Sequence, residues 1–155
     1  MTAAPTKDSL ISGLSTAVDE TLAYFGGPGQ QSRARIADWG AWEVLAHFAY
    51  WHYATGWGIR SAALGGPPWQ LSGTADDINA AALALMAGDS FASMIAVLRG
   101  AHERLLRAAS DSADLSAIAF RMADGREVSI AQRLEIIAHH WRGHLEALQA
   151  IDAQR

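Results

Sequence analysis

Apolar residues recur along most of the chain at the spacing of three and four positions that amphipathic helices show. The first apolar stripe contains Leu10, Leu14 and Val18 and predicts a helix over residues 8–25. Glycine and proline at positions 26–29 end this helix, because neither residue favours a helical interior. A polar loop over residues 30–38 follows.

The same spacing predicts three further long helices and one short helix. Thr74 and Ser129 each stand three residues before an acid or an amide, the pattern of a capping box that begins a helix. Residues 110–128 are interpreted as a loop, and residues 117–122, the one candidate for a strand, as part of it. The long helices are predicted over residues 40–64, 91–109 and 129–153, and the short one over residues 74–87.

Four long amphipathic helices predict an all-α fold, a four-helix bundle with one short extra helix between helices 2 and 3. The 155 residues fit a single domain over residues 1–155. A domain of this length buries roughly 70% of the surface that its unfolded chain exposes, so it needs no covalent cross-link.

Charge and hydropathy narrow the classes of partner. The formal net charge is -4, and Lys7 is the only lysine among twelve basic residues. No basic stripe with interleaved aromatic residues occurs, so we expect no nucleic-acid partner. Residues 41–59 form the most membrane-like segment, but Glu43, His47 and His52 interrupt it, and we expect no membrane span.

The chain contains no cysteine. Disulfides, thiolate metal ligands and a cysteine nucleophile are therefore excluded, and a reacting thiol must come from a substrate or cofactor. The absence of cysteine fits a reducing cytoplasm, and the segment MTAAPTKDSL lacks the basic stretch and apolar run of a signal peptide. We expect a cytoplasmic protein.

Three of the six histidines fall on inward faces when each is placed on its helix at about 100° per residue. His47 shares a face of the second long helix with Val44. His140 and His144 lie one turn apart on the face of the last helix that carries Ile137. Both faces are apolar and should point at the core.

The other histidines are placed elsewhere. His52 lies well off the inward face of its helix, and His139 lies beside Glu135 on the polar side of the last helix. His102 lies on an apolar stripe of the third long helix. It could be a fourth ligand, a group that supports a ligand or a plain core histidine, and we favour the last.

Burying three unpaired imidazoles is costly, since each has a donor and an acceptor to satisfy. A shared cation held by His47, His140 and His144 removes this cost, and a site with three histidines keeps the open positions that catalytic metals use. Ordinary core histidines remain the alternative, because the His-x-x-x-His spacing alone is a weak pattern.

Three segments resemble the DinB-like (YfiT-like) family. Residues 39–47, Trp-Gly-Ala-Trp-Glu-Val-Leu-Ala-His, resemble its second-helix signature, with Gly40 where serine or threonine is commoner and glycine still an acceptable cap. Residues 77–80, Asp-Ile-Asn-Ala, resemble its short connecting helix. Residues 125–129 and 137–145 resemble the lead into its last helix and the His-x-x-x-His there, so the resemblance covers nearly the whole chain.

The resemblance implies an up-down-down-up four-helix bundle that binds a divalent metal, zinc or nickel, with His47, His140 and His144 as ligands. The family's relatives include thiol S-transferases that use mycothiol or bacillithiol, the metal-binding domain of mycothiol-dependent maleylpyruvate isomerase, and a small hydrolase group. We therefore expect a metal-dependent thiol S-transferase or a hydrolase that acts on a small electrophile, with a low-molecular-weight thiol as cosubstrate in the first case.

Further residues are assigned to this site. Glu43, one turn before His47, could orient a ligand or act as a base, and its alternative role is a first-turn acid favoured by the helix dipole. Trp51 and Trp141 are expected to line an apolar pocket or simply pack the core, and Trp69, in a Gly-Pro-Pro loop, is the candidate lid. The candidates to hold a substrate carboxylate are Arg60, Arg121 and Arg126.

A non-catalytic function is the alternative, in which the metal clips together a binding or interaction protein. The outward side of the second long helix carries Trp42, Ala46, Ala49 and Tyr53, so this helix is apolar nearly all round. Such a helix is buried on both sides, often by a partner. We predict a homodimer that packs partly through this face, with a small molecule as the other partner.

Overall fold

The computed structural model describes residues 5–155. Residues 1–4, part of the predicted domain 1–155 and of the segment compared with signal peptides, lie outside the described residues. The described chain is mostly helical and carries a small three-stranded sheet. In chain order the elements are α1 (Lys7–Phe25), a 3-10 turn (Pro28–Gln31), α2 (Ala41–Ala63), β1 (Trp69–Gln70), α3 (Ala75–Leu85), α4 (Phe91–Asp111), β2 (Ile118–Arg121), β3 (Glu127–Ser129) and α5 (Ile130–Asp152).

Side-chain caps explain where the helices begin. The Thr74 hydroxyl accepts a hydrogen bond from the Asp77 backbone N–H at 3.1 Å, and the Asp77 carboxylate accepts one from the Thr74 N–H at 3.0 Å. Ser129 and Gln132 form the same reciprocal pair at the start of α5. These bonds satisfy N–H groups that a first helical turn leaves without partners. All five helices agree with their predicted bounds to within two residues.

The helix contacts confirm the predominantly helical fold. Helix α2 packs along α4 and α1 packs along α5, and contacts of α1 with α4 and of α2 with α5 join the two pairs. Large aromatic side chains fill the interior between them: the Phe48 and Trp141 ring centroids are 4.2 Å apart, and Phe25 meets Phe48 edge-on at 6.0 Å. Within residues 5–155, no helix combines the length and the hydropathy that a membrane span requires.

The outward side of α2 is largely covered within the chain. Ala46 and Ala49 are fully buried, and Trp42 Nε1 donates a hydrogen bond to the Asp89 carbonyl just before α4, at 2.8 Å. Only Tyr53 of the predicted interface residues is well exposed, at 42%. The packing of α4 against α2 therefore accounts for most of this apolar face without a partner.

The sheet corrects our interpretation of residues 110–128 as a loop. Strand β2 lies within the rejected candidate 117–122 and pairs in parallel with β1, Trp69 opposite Phe120, and antiparallel with β3, Phe120 opposite Val128. A four-residue strand is too short for a clear period, and its partner β1 is distant in sequence. Gly58 of α2 lets the sheet approach, because a Cβ there would lie 2.6 Å from the Phe120 ring.

Candidate metal centre

The three predicted ligand histidines come together between α2 and α5. Nε2 of His47 lies 3.0 Å from Nε2 of His140, which lies 3.1 Å from Nε2 of His144. One ligand atom from each histidine can be chosen so that all three lie within 4.8 Å of one another. The spacing of four residues on α5 and the inward face of α2 therefore produce the cluster that the sequence predicts.

Asn79 of α3 fixes the proton of His47. Trp51 Nε1, which can only donate, lies 2.8 Å from Asn79 Oδ1 and identifies this atom as an acceptor. The same oxygen lies 3.0 Å from Nδ1 of His47, so Nδ1 carries the proton and donates it. Nε2 of His47 is then left with a lone pair that faces His140.

The convergence of nitrogens suits a cation. Nε2 of His140 faces two other Nε2 atoms, and a single ring N–H can donate to only one of them. Hydrogen bonding inside the cluster therefore cannot satisfy all three nitrogens, whereas a cation accepts three lone pairs at once. The three imidazoles could hold a metal ion.

The electrostatic environment keeps these imidazoles neutral. Burial, together with the neighbouring His140 and His144, lowers the pKa of His47 to about 3. Burial and the neighbouring His144 lower the pKa of His140 to about 4, and burial lowers the pKa of His144. Neutral imidazole is the form that binds metals, so protons compete weakly for this site at neutral pH.

A cavity of about 220 Å³ opens beside the cluster. His47 and His140 form part of its wall, and Trp51 and Trp141, the predicted pocket residues, line it as well. Trp141 is also fully buried in the core, so it serves both of its predicted roles. The further lining residues are Leu71, Ala75, Asn79, Met122, Arg133, Ile136 and Ile137.

Two other predicted site residues lie apart from this cavity. The Trp69 side chain belongs to β1 and lines a separate depression together with Trp57 and Pro67. The Glu43 carboxylate accepts a hydrogen bond from the Gly40 N–H at 2.9 Å, so it caps the start of α2. The structure thus places Trp69 in the sheet and Glu43 in the first turn of the helix that carries His47.

The predicted carboxylate-binding arginines also lie apart from the cavity, and a different arginine lines it. Arg121 pairs with Glu127 at 2.8 Å, Arg126 lies 3.8 Å from an acidic oxygen of Asp124, and Arg60 is exposed. Arg133 of α5 is buried and lines the cavity. Its position seven residues before His140, on the same helical face, is the sequence signal that could have identified it.

The position of His52 corrects our expectation that it lies well off the inward face of its helix. It is fully buried: Trp141 Nε1 donates to its Nδ1 at 3.0 Å, and its Nε2 lies 3.0 Å from Nδ1 of His102. The reason is that α4 covers this side of α2, so both sides of the helix face protein. His102 is a buried residue outside the converging trio, and His139 is exposed as predicted.

Asn79 is the other site residue that the sequence analysis missed in this role. It is the only asparagine in the chain, and the sequence indicates it only as part of the segment that resembles a connecting helix. Its contact with His47 joins residues from α2 and α3, which no local pattern reveals.

Comparison of the chain with protein-family models, with curated proteins and with solved structures finds no match. The site is therefore assigned from its own geometry and chemistry.

Proposed function

We propose that this chain is a DinB-like four-helix bundle that binds zinc or nickel through His47, His140 and His144 and acts as a metal-dependent thiol S-transferase or hydrolase on a small electrophile. The observation that carries the proposal is the convergence of three neutral imidazole nitrogens at the edge of an apolar cavity. The pairing of α1 with α5 and of α2 with α4 supports the up-down-down-up bundle that the resemblance implies.

The number of ligands favours catalysis over a purely structural site. Structural zinc sites usually have four protein ligands, whereas catalytic sites have three and keep a position for water or substrate. A metal bound there would supply Lewis acidity and lower the pKa of a thiol or a water molecule. The chain has no cysteine, so the thiol of a transferase would be a low-molecular-weight cosubstrate such as mycothiol.

The chain's own residues prepare the site for this chemistry. Asn79 orients His47, and the indoles of Trp51 and Trp141 form apolar walls that limit the access of water. Glu43 fixes the first turn of α2, one turn before His47, and we assign it a positioning role rather than a role as base.

Elemental analysis of the purified full-length protein tests the metal site. We expect about one equivalent of zinc or nickel, lost in His140→Ala and retained in His139→Ala, because His139 adjoins the proposed ligand in sequence but lies outside the converging trio. A wild-type protein that stays metal-free after incubation with either ion would contradict the proposal. Equal metal affinity of His140→Ala and wild type would contradict it as well.

Substitution with Co²⁺ separates the two reactions. Titration of the cobalt protein with a small thiol should produce a sulfur-to-metal charge-transfer band if the protein is a thiol transferase. If only hydroxide or water-derived inhibitors change the spectrum, the hydrolase is favoured. A spectrum that responds to neither supports the alternative, a metal-stabilised interaction protein.

We propose the homodimer as part of this alternative. Its interface is smaller than the one that the sequence predicts. Tyr53 and Trp57 remain 42% and 49% exposed on α2, and their rings lie 6.3 Å apart. Aromatic residues of this kind are enriched at the cores of interfaces. Sedimentation of a monomer at every micromolar concentration would contradict the homodimer.

A further inference from the structure

We propose that Arg133 is the carboxylate-binding residue of the cavity and that the ligand beside the three histidines is a small carboxylic acid with an apolar body. The placement of the ligand's reacting group at the three histidines rests on the proposed function. The anion site itself rests only on the contacts, burial and charge of Arg133.

The Arg133 side chain is held in one place. Its Nε–H donates to the Thr55 hydroxyl at 3.0 Å. Its guanidinium carbon lies 4.4 Å from the centroid of the Phe120 ring and 5.6 Å from that of Trp51. Aromatic faces attract a guanidinium and fix its plane, so the group is prepared for a planar partner before any ligand arrives.

The charge of Arg133 has no counter-charge among residues 5–155. The side chain is only 7% exposed, and no carboxylate of the described chain forms an ion pair with it. Burial lowers its pKa to about 10, which leaves it a cation at neutral pH. A buried cation without a partner is costly, and an anionic ligand compensates for this cost.

Free donors of the guanidinium point to the ligand's position. Arginine has five N–H donors, and the hydrogen bond to Thr55 uses one. The two terminal nitrogens make no hydrogen bond to the described residues. Among residues 5–155, every side-chain nitrogen that is shut off from solvent has a hydrogen-bond partner, so these two nitrogens must be in contact with solvent. They therefore reach solvent through the cavity that Arg133 lines, with the two-pronged geometry that a carboxylate accepts.

The cavity indicates what the rest of the ligand is like. Arg133 is its only permanently charged lining residue, so a monoanion neutralises it. The remaining walls are mostly indole and aliphatic side chains, and about 220 Å³ is below the roughly 300–1,000 Å³ typical of sites for drug-sized ligands. Arg133 precedes His140 by two helical turns, about 10 Å along α5. A carboxylate at Arg133 thus places the ligand's far end at the histidines.

Binding of benzoate to the metal-free, full-length protein tests the inference. The metal is removed with a chelator so that benzoate cannot bind to the metal in place of Arg133. We expect saturable binding by calorimetry, at least about tenfold weaker in Arg133→Gln and partly restored in Arg133→Lys. Arg126→Gln, at an exposed arginine, is the matched control and should bind like wild type. Benzamide, the uncharged analogue, should bind at least about tenfold more weakly than benzoate.

Labelling with phenylglyoxal tests the site even if Arg133→Gln does not fold. In the wild-type protein, benzoate should slow modification of Arg133 and leave that of Arg126 unchanged, as measured by peptide mass spectrometry. No benzoate binding, equal binding of benzamide, or labelling of Arg133 that benzoate does not slow would each overturn the inference. Metal uptake is measured separately, so these results would leave the proposed metal site standing. A protein that binds benzoate but takes up neither zinc nor nickel would instead overturn the metal site and leave this inference standing.

Discussion

Asn79 Oδ1 accepts hydrogen bonds from two donors, Trp51 Nε1 and His47 Nδ1. Because the indole can only donate, the direction of the second bond is determined, and with it the tautomer of His47. A hydrogen bond to the distal nitrogen also raises the basicity of a ligand imidazole and holds its ring in place. A residue of α3 therefore fixes the tautomer of a histidine on α2.

Asn79→Ala should weaken zinc binding by about 10- to 100-fold, since it leaves His47 without its orienting acceptor. Competition with a chromophoric chelator measures this affinity. Asn79→Asp should restore most of it, because the carboxylate accepts the same two hydrogen bonds. Asp76→Ala, at an exposed position of the same helix, should have no effect. Unchanged affinity in Asn79→Ala would refute the positioning role.

His52 is a second residue whose proton is fixed by its neighbours. The Trp141 N–H donates to its Nδ1, so the proton of the neutral ring lies on Nε2 and is donated to His102. Burial, together with the neighbouring His102 and Arg133, lowers the pKa of His52 well below its usual value. The folded protein therefore keeps His52 neutral at pH values where the unfolded chain protonates it.

The stability of the metal-free protein should fall as the pH decreases below about 6.5, the pKa of histidine in an unfolded chain. Below that value the unfolded state binds a proton that folded His52 does not, so unfolding becomes easier by about 1.4 kcal/mol per pH unit for this group. Urea denaturation between neutral and mildly acidic pH measures the slope. His139→Gln, at an exposed histidine outside the converging trio, should keep the slope. A stability that is flat over this range would be inconsistent with a buried neutral His52.

At the scale of elements, the approach of the sheet to α2 depends on Gly58. A Cβ at this position would lie 2.6 Å from the Phe120 ring and 2.8 Å from the Ala119 carbonyl oxygen. Phe120 in turn stacks on Arg133, and Met122 and Leu71 near the strand ends line the cavity. The small sheet thus forms one wall of the site, and the missing side chain of Gly58 permits it.

Gly58→Ala should destabilise the protein by about 1–3 kcal/mol, because the added methyl group meets both an aromatic ring and backbone. Gly13→Ala is the matched control: it lies inside α1 and its Cβ would meet nothing within 4 Å. Alanine there should stabilise by about 0.5–1 kcal/mol through its higher helix propensity. Chemical denaturation measures both, and two variants of equal stability would argue against the close packing of β2 on α2.

At the scale of the whole molecule, the proposed metal site joins parts of the chain that are far apart in sequence. His47 belongs to α2 and His140 to α5, and the cavity is completed by residues of α3 and of the segment around the sheet. The unfolded chain does not hold these ligands together, so a metal that binds the assembled site stabilises the folded state.

Zinc at a free concentration a hundredfold above its Kd should raise the free energy of unfolding by about 2.7 kcal/mol. For a domain of this size the melting temperature should rise by about 5–10 °C. His47→Ala should lose this increase and His139→Ala should keep it. Calorimetric scans with and without metal make the comparison, and an equal increase in His47→Ala would place the binding elsewhere.

The local features of this protein follow from its sequence. The helical spacing of apolar residues and the capping pairs at Thr74 and Ser129 determine where the helices lie, because these contacts join residues within one or two turns. The four-residue spacing of His140 and His144 determines that they share a face, as a regular helix leaves no other arrangement. The relative placement of two of the three proposed ligands is therefore local.

Tertiary structure alone decided the features that join distant elements. Packing of α4 on α2 buries His52, although its position on the helix predicts that it lies off the inward face. The same packing covers the face that we expected to bind a partner. The pairing of β1 with β2, the hydrogen bond of Asn79 to His47 and the burial of Arg133 beneath Phe120 depend on long-range contacts. The periodicity of the sequence shows which faces of one helix are polar and which are apolar. These contacts depend instead on which other elements pack against that helix.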